Sequence, residues 1–210
     1  MSEQSPQSSS SQVQGIDVSD HQGTVDWNAV QQAGKVFAFI KATDGITWTD
    51  PDFATNWSGA KAAGLLRGAY HFYETDDDPT AQAQNFLNAV QLEPGDLPPV
   101  VDIERIDSGG SASQTVQDLQ TWLDVVEKAT GRVPIIYTSP TFWDSLGTSA
   151  FGRYPLWVAE YGVTSPKLPP GWASWTFWQF SESGAVAGIS GSVDLNVFQG
   201  TSAELEALAG

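Results

Sequence analysis

Asp102 and Glu104 stand two residues apart in the stretch PPVVDIERI (98–106), directly behind an apolar run. On an extended strand such residues share a face, with Cα atoms ~6.6 Å apart at ~3.3 Å rise per residue. Two carboxyl groups held that close repel when both are charged, and the repulsion raises their pKa. One acid then keeps its proton while the other stays ionised. Glycoside hydrolysis needs this division of labour: a proton for the leaving oxygen and negative charge beside an oxocarbenium-like centre.

Further polar residues close the other apolar runs: Asp17, Lys41, His71, Tyr73, Tyr137, Glu160, Tyr161 and Gln179. Each also has a plainer reading. An Asp after a strand is commonly a turn former or helix cap, Lys41 balances a neighbouring carboxylate, and His71 fits a satisfied barrel histidine better than a ligand. The histidines are His21 and His71, and there is no cysteine, so neither a transition-metal site nor a cofactor is expected. The absence of a Gly-x-Ser-x-Gly elbow argues against Ser–His–acid catalysis. Nine Trp and five Tyr offer faces on which sugar rings stack, although most of the Trp belong to the core. The candidate sugar-binding side chains are Lys41, Tyr70, Tyr137, Tyr161, Trp178 and Gln179.

The elements that must position these groups alternate. Strands are predicted at 13–19, 36–42, 66–73, 98–104, 132–138, 155–161, 175–181 and 192–198. Helices are predicted at 25–34, 50–64, 78–90, 111–131 and 140–147. Asp50 and Asp78, each followed by Pro, read as caps with Pro in the first turn. Ser111 and Gln114 have capping-box spacing, and Val116, Leu119, Leu123 and Val126 form the buried stripe of the long helix. Strand–helix alternation implies a parallel sheet, because parallel neighbours need crossovers. Eight strands point to an α/β barrel of TIM-like type with its site where strands end. An open doubly wound sheet is the competing architecture, but DVSDHQG after the first strand is no phosphate-binding turn. The segment ESGAVAGISG (182–191) is short and lacks an amphipathic stripe, so the last strand is expected to return antiparallel to its predecessor.

Composition narrows the partners. Residues 13–210 fit one domain, behind a polar Ser/Gln-rich tail at 1–12 that reads as disordered. The net charge of −16, with nine Lys and Arg, argues against nucleic acid and against anionic membrane surfaces. No apolar stretch reaches the roughly 20 residues of a membrane helix.

Eight segments occur in the order found in glycoside hydrolase family 25, the Chalaropsis-type lysozymes. They are GIDVSDHQG (15–23), FIKATDG (39–45), GAYHF (68–72), VVDIE (100–104), IIYTS (135–139), LWVAEY (156–161), FWQFS (177–181) and VDLNVF (193–198). The chain resembles that family from about Val13 to Gly200. The resemblance implies a (β/α)5β3 barrel and an N-acetylmuramidase that acts outside the cell or on the wall. Its implied partners are peptidoglycan glycan strands, met by a monomer. The family's four site acids match Asp17, Asp102, Glu104 and Asp194. Glu104 matches the general acid/base, and Asp102 matches the carboxylate supporting the substrate's 2-acetamido group. Asp44 stands where the family usually has Glu. A chitinase-like glycosidase and a catalytically silent glycan-binding barrel remain as rival readings.

Overall fold

The computed structural model describes residues 12–108 and 110–210, so the expected tail, apart from Gln12, lies outside the described residues. Eight strands close into one barrel: β1 (Val13–Val18), β2 (Phe37–Asp44), β4 (Leu66–Phe72), β5 (Val100–Asp102), β6 (Ile135–Thr138), β7 (Leu156–Ala159), β8 (Phe177–Gly184) and β9 (Val193–Phe198). A two-residue strand, β3 (Trp48–Thr49), folds back on the end of β2 as a hairpin. Among the eight barrel strands pairing is parallel from β1 round to β8, and β9 runs antiparallel to both β8 and β1. The expected antiparallel return of the last strand is therefore present.

Five helices take the crossovers: α1 (Trp27–Gln32), α2 (Phe53–Ala62), α3 (Pro79–Ala89), α4 (Ala112–Thr130) and α5 (Pro140–Leu146). Asp78 caps α3 by accepting from the Ala81 amide at 2.8 Å, with Pro79 in the first turn as expected. Asp50 departs from its expected role. The N-cap of α2 is Asp52, and the buried Asp50 carboxylate accepts from the Asp20 and Asp52 amides instead. It thereby ties the loop after β1 to the start of α2. Ser111 accepts from the Gln114 amide at 3.3 Å, but the Gln114 side chain turns to Asp118. That is half of the capping box expected there.

Strand alternation divides the core in two. Outward residues such as Ile40, Val101 and Ile136 pack under the helices against Phe86, Leu119, Trp122 and Val126. Inward residues fill the barrel, where Phe39 stacks on Trp157 and Phe177 packs edge-on against Phe39 and tilted against Phe37. Gly15 and Gly68 leave room for those rings: a Cβ at either would come within 2.5 Å of Phe37 or Phe39. A sixth helix, α6 (Ser202–Ala209), was not expected from the sequence. It starts at a Thr201/Glu204 capping box and presses Leu205 and Ala209 against the inner cluster at the base.

One ion pair is buried away from the mouth. Arg67, on the outer face of β4, meets Asp96 through Nε–Oδ1 at 2.7 Å and Nη2–Oδ2 at 3.2 Å, and both side chains are 4% exposed. Its guanidinium also covers the Trp57 ring and donates to the Trp57 carbonyl. Removing one member of a buried pair leaves an uncompensated charge. Asp96→Ala should therefore destabilise the fold by about 3–5 kcal/mol in urea unfolding, with an unchanged m-value.

Candidate active site

The barrel register brings the acids together. Asp17 of β1 lies directly opposite Asp194 of β9, and Gln179 of β8 lies opposite Asn196 of β9. Asp102 ends β5. The Ile103 amide extends that ladder by donating to the Tyr137 carbonyl at 3.0 Å, so Glu104 follows just past the strand. Ile103 is wholly buried under the helices, whereas Asp102 and Glu104 both line the cavity at the mouth. The alternation expected at this strand end holds, and the strand stops two residues sooner than predicted.

The two acids have different surroundings. Asp102 is buried, and its Oδ1 has no hydrogen-bond partner among the described residues. Glu104 is exposed at the rim. Burial and the Glu104 charge push the Asp102 pKa well above the ordinary carboxylate value, with Lys41 opposing them. Glu104 is also raised, chiefly by desolvation, against the pull of Arg105 and Lys41.

Opposite them lies a directed network. Tyr137 and Tyr161 donate their hydroxyls to Gln179 Oε1 at 2.8 and 2.5 Å. That fixes the Gln179 amide, whose Nε2 donates to Asp17 at 2.8 Å and to Asp194 at 3.4 Å. From the other side Trp157 Nε1 donates to Asn196 Oδ1 at 2.8 Å, turning Asn196 Nδ2 toward Asp17 at 2.7 Å. Burial raises the Asp17 pKa most, followed by the Asp194 charge, while Asn196 and Gln179 lower it. Burial also leads the upward shift of Asp194.

Lys41 and Tyr70 line the same cavity. Lys41 pairs with Asp44 at 2.8 Å, which gives the shortened residue noted in KATDG a direct partner. Tyr161 reaches the site through Gln179 and is 40% exposed. Trp178 is not brought to the cavity. Its neighbours Phe177 and Gln179 point inward, so Trp178 faces out, with Trp175 and Phe180 beside it and its Nε1 on the Glu160 carbonyl. His71 also faces out. Its ring stacks on Trp122 and contacts Thr43 Oγ1 and Gln82 Oε1, and burial lowers its pKa to about 4. Asn196, Trp157 and Phe72 belong to the site without having been foreseen. For two of them the sequence carries a signal in i±2 spacing: Asn196 follows Asp194, and Phe72 follows Tyr70, on the inward face of the same strand.

Comparison with known proteins finds relatives over most of the chain. The family profile described as Glycosyl hydrolases family 25 matches residues 16–189. Lysozyme M1 of Streptomyces globisporus is 41% identical over 209 residues, covering 94% of this chain and 71% of that protein. The N,O-diacetylmuramidase of Chalaropsis sp is 35% identical over 202 residues, covering 87% of this chain and 96% of the relative. The crystal structure of the bacterial lysozyme from Streptomyces coelicolor superposes with a TM-score of 0.91 at 40% identity, covering 95% of this chain and 97% of that one.

Carboxyl groups with raised folded-state pKa values retain protons that the unfolded chain has already released. Stability from such groups is present below the unfolded value near 4 and is lost as pH rises through the folded value. Asp102→Asn removes one of them. The melting temperature of Asp102→Asn minus that of wild type should therefore grow between pH 4 and pH 7, as read by calorimetry.

Proposed function

Because the chain belongs to glycosyl hydrolase family 25, we propose that it is a muramidase, cleaving the β-1,4 bond from N-acetylmuramic acid to N-acetylglucosamine in peptidoglycan. The observation that carries this reading is the pair at the end of β5: buried Asp102 and exposed Glu104 on one face of the mouth. Glu104, its pKa raised, protonates the leaving glycosidic oxygen. In its ionised form, which Lys41 favours, Asp102 accepts from the N–H of the substrate's 2-acetamido group, whose carbonyl oxygen then attacks the anomeric carbon. Glu104, now ionised, takes a proton from water as that water opens the cyclic intermediate. Two inversions give net retention at the anomeric carbon.

Burial raises the pKa of both Asp17 and Asp194, which limits the negative charge facing the sugar. Lys41 moderates both acids at the end of β5. Tyr70, Tyr137, Tyr161 and Gln179 supply the polar and aromatic contacts that orient the ring. The enzyme works as a monomer on glycan strands, outside the cell or at the wall. No described helix is long and apolar enough to cross a membrane.

Mass spectrometry of fragments released from purified peptidoglycan should find N-acetylmuramic acid at the new reducing ends, with no turnover of chitin. Glu104→Gln cannot cycle a proton and should lower kcat by roughly 10²–10⁴-fold. Near-wild-type release by that variant would overturn the assignment. Hydrolysis needs Glu104 protonated, so kcat/KM should fall on the alkaline side as its raised pKa is passed, leaving an optimum below neutrality. A profile climbing into the alkaline range would contradict this role.

A further inference from the structure

The β2–β3 hairpin rises beside the mouth and exposes two large apolar side chains, Trp48 at 39% and Ile46 at 44%. Its backbone is held from below. Asn85 of α3 donates through Nδ2 to the Gly45 carbonyl at 3.0 Å and the Trp48 carbonyl at 3.1 Å. The Ile46 amide donates to Asp77 at 3.2 Å. The turn itself needs Gly45, whose φ is +50° and whose absent Cβ would lie 2.8 Å from Asp77 Oδ2.

The indole is also continuous with the cavity. Lys41 Nζ lies 4.9 Å from the centre of the Trp48 ring and 4.8 Å from that of Phe72. Lys41 and Phe72 both line the cavity, and Arg105 covers Phe72 at 4.7 Å. A row of alternating rings and cations thus runs from the cavity wall out to Trp48. An exposed indole on a backbone clamped at three points, in line with the mouth, has the form of a preorganised stacking surface.

We propose that Trp48 forms an outlying sugar subsite, where the indole face stacks on an N-acetylated hexosamine ring of the same glycan strand, beyond the two residues flanking the cleaved bond. The proposal rests on the muramidase reading for the identity of the strand. The ring face meets the sugar's axial C–H groups and acetamido methyl, contacts that require no charge and so suit an acidic protein. The subsite strengthens binding of long strands without touching the reacting atoms.

The test compares wild type, Trp48→Ala and Trp48→Tyr on long uncrosslinked glycan strands and on the shortest oligosaccharide that wild type cleaves. Cosedimentation with insoluble peptidoglycan reads binding without catalysis. Trp48→Ala should raise KM on long strands roughly tenfold, the effect of uncovering one ring face. It should leave kcat and the short substrate unchanged and weaken cosedimentation, while Trp48→Tyr should retain most of the wild-type behaviour. Equal losses on long and short substrates, or a shifted pH profile, would make Trp48 only a support for Lys41 and overturn the proposal. Unchanged KM and cosedimentation for Trp48→Ala would overturn it too. If wild type binds peptidoglycan through Trp48 yet cleaves no strand, the subsite stands and the muramidase reading falls.

Discussion

Because β9 runs against both of its neighbours, its inward side chains enter the barrel in the reverse order, and a residue near its start arrives at the mouth. In an all-parallel barrel, Asp194 would sit near the base. Here it meets Asp17, and Asn196 falls one inward step below to reach Asp17 and Trp157 together. The network around Asp17 depends on that reversal, which sets Asp194 opposite Asp17 and Asn196 opposite Gln179, so that Gln179 and Asn196 both donate to Asp17. The reversal in turn depends on a connection too short to hold a crossover helix.

The barrel interior changes character along its axis. Aromatic rings fill it tightly up to the layer of Trp157 and Tyr137, and above that layer the inward positions turn polar. Acids placed there are partly stripped of water while resting on an apolar floor, so desolvation leads every upward shift in the group. Cations are few: Lys41 beside Asp44 and Arg105 between Glu74 and Asp107 already have partners. The site therefore concentrates desolvated carboxyls, a cost that burial of the two hydrophobic clusters offsets. Stability is conceded where chemistry needs reactive carboxyls, a trade common at functional sites.

Much of this was legible in the sequence because strand periodicity and helix punctuation are local. The Asp-Pro opening of α3, the buried stripe of α4 and the Asp102–Glu104 face all follow from spacing over a few residues. What stayed hidden depends on partners distant in the chain. Asn196 reads as an ordinary strand polar residue until Trp157 and Asp17 are placed against it. Trp178 reads as a sugar platform until the register of β8 shows which way it points. Asp50, with Pro51 after it, reads as a cap, yet its carboxylate is used by the amide of Asp20, thirty positions earlier. The helix α6 has a weak sequence signal because it carries few large apolar residues, and only Leu205 and Ala209 are buried.

The base of the barrel is closed by that helix. Arg132 holds its last turn by donating to the Leu208 and Ala209 carbonyls, and the Gly95 amide donates to the Gly210 carbonyl. Val13, at the start of β1, belongs to the same basal cluster. Both ends of the described barrel therefore emerge on the face away from the catalytic mouth. Modules, tags or surface linkers joined at either end would leave the glycan's approach open, so the barrel is shaped to be tethered from behind while it works on a polymer in front.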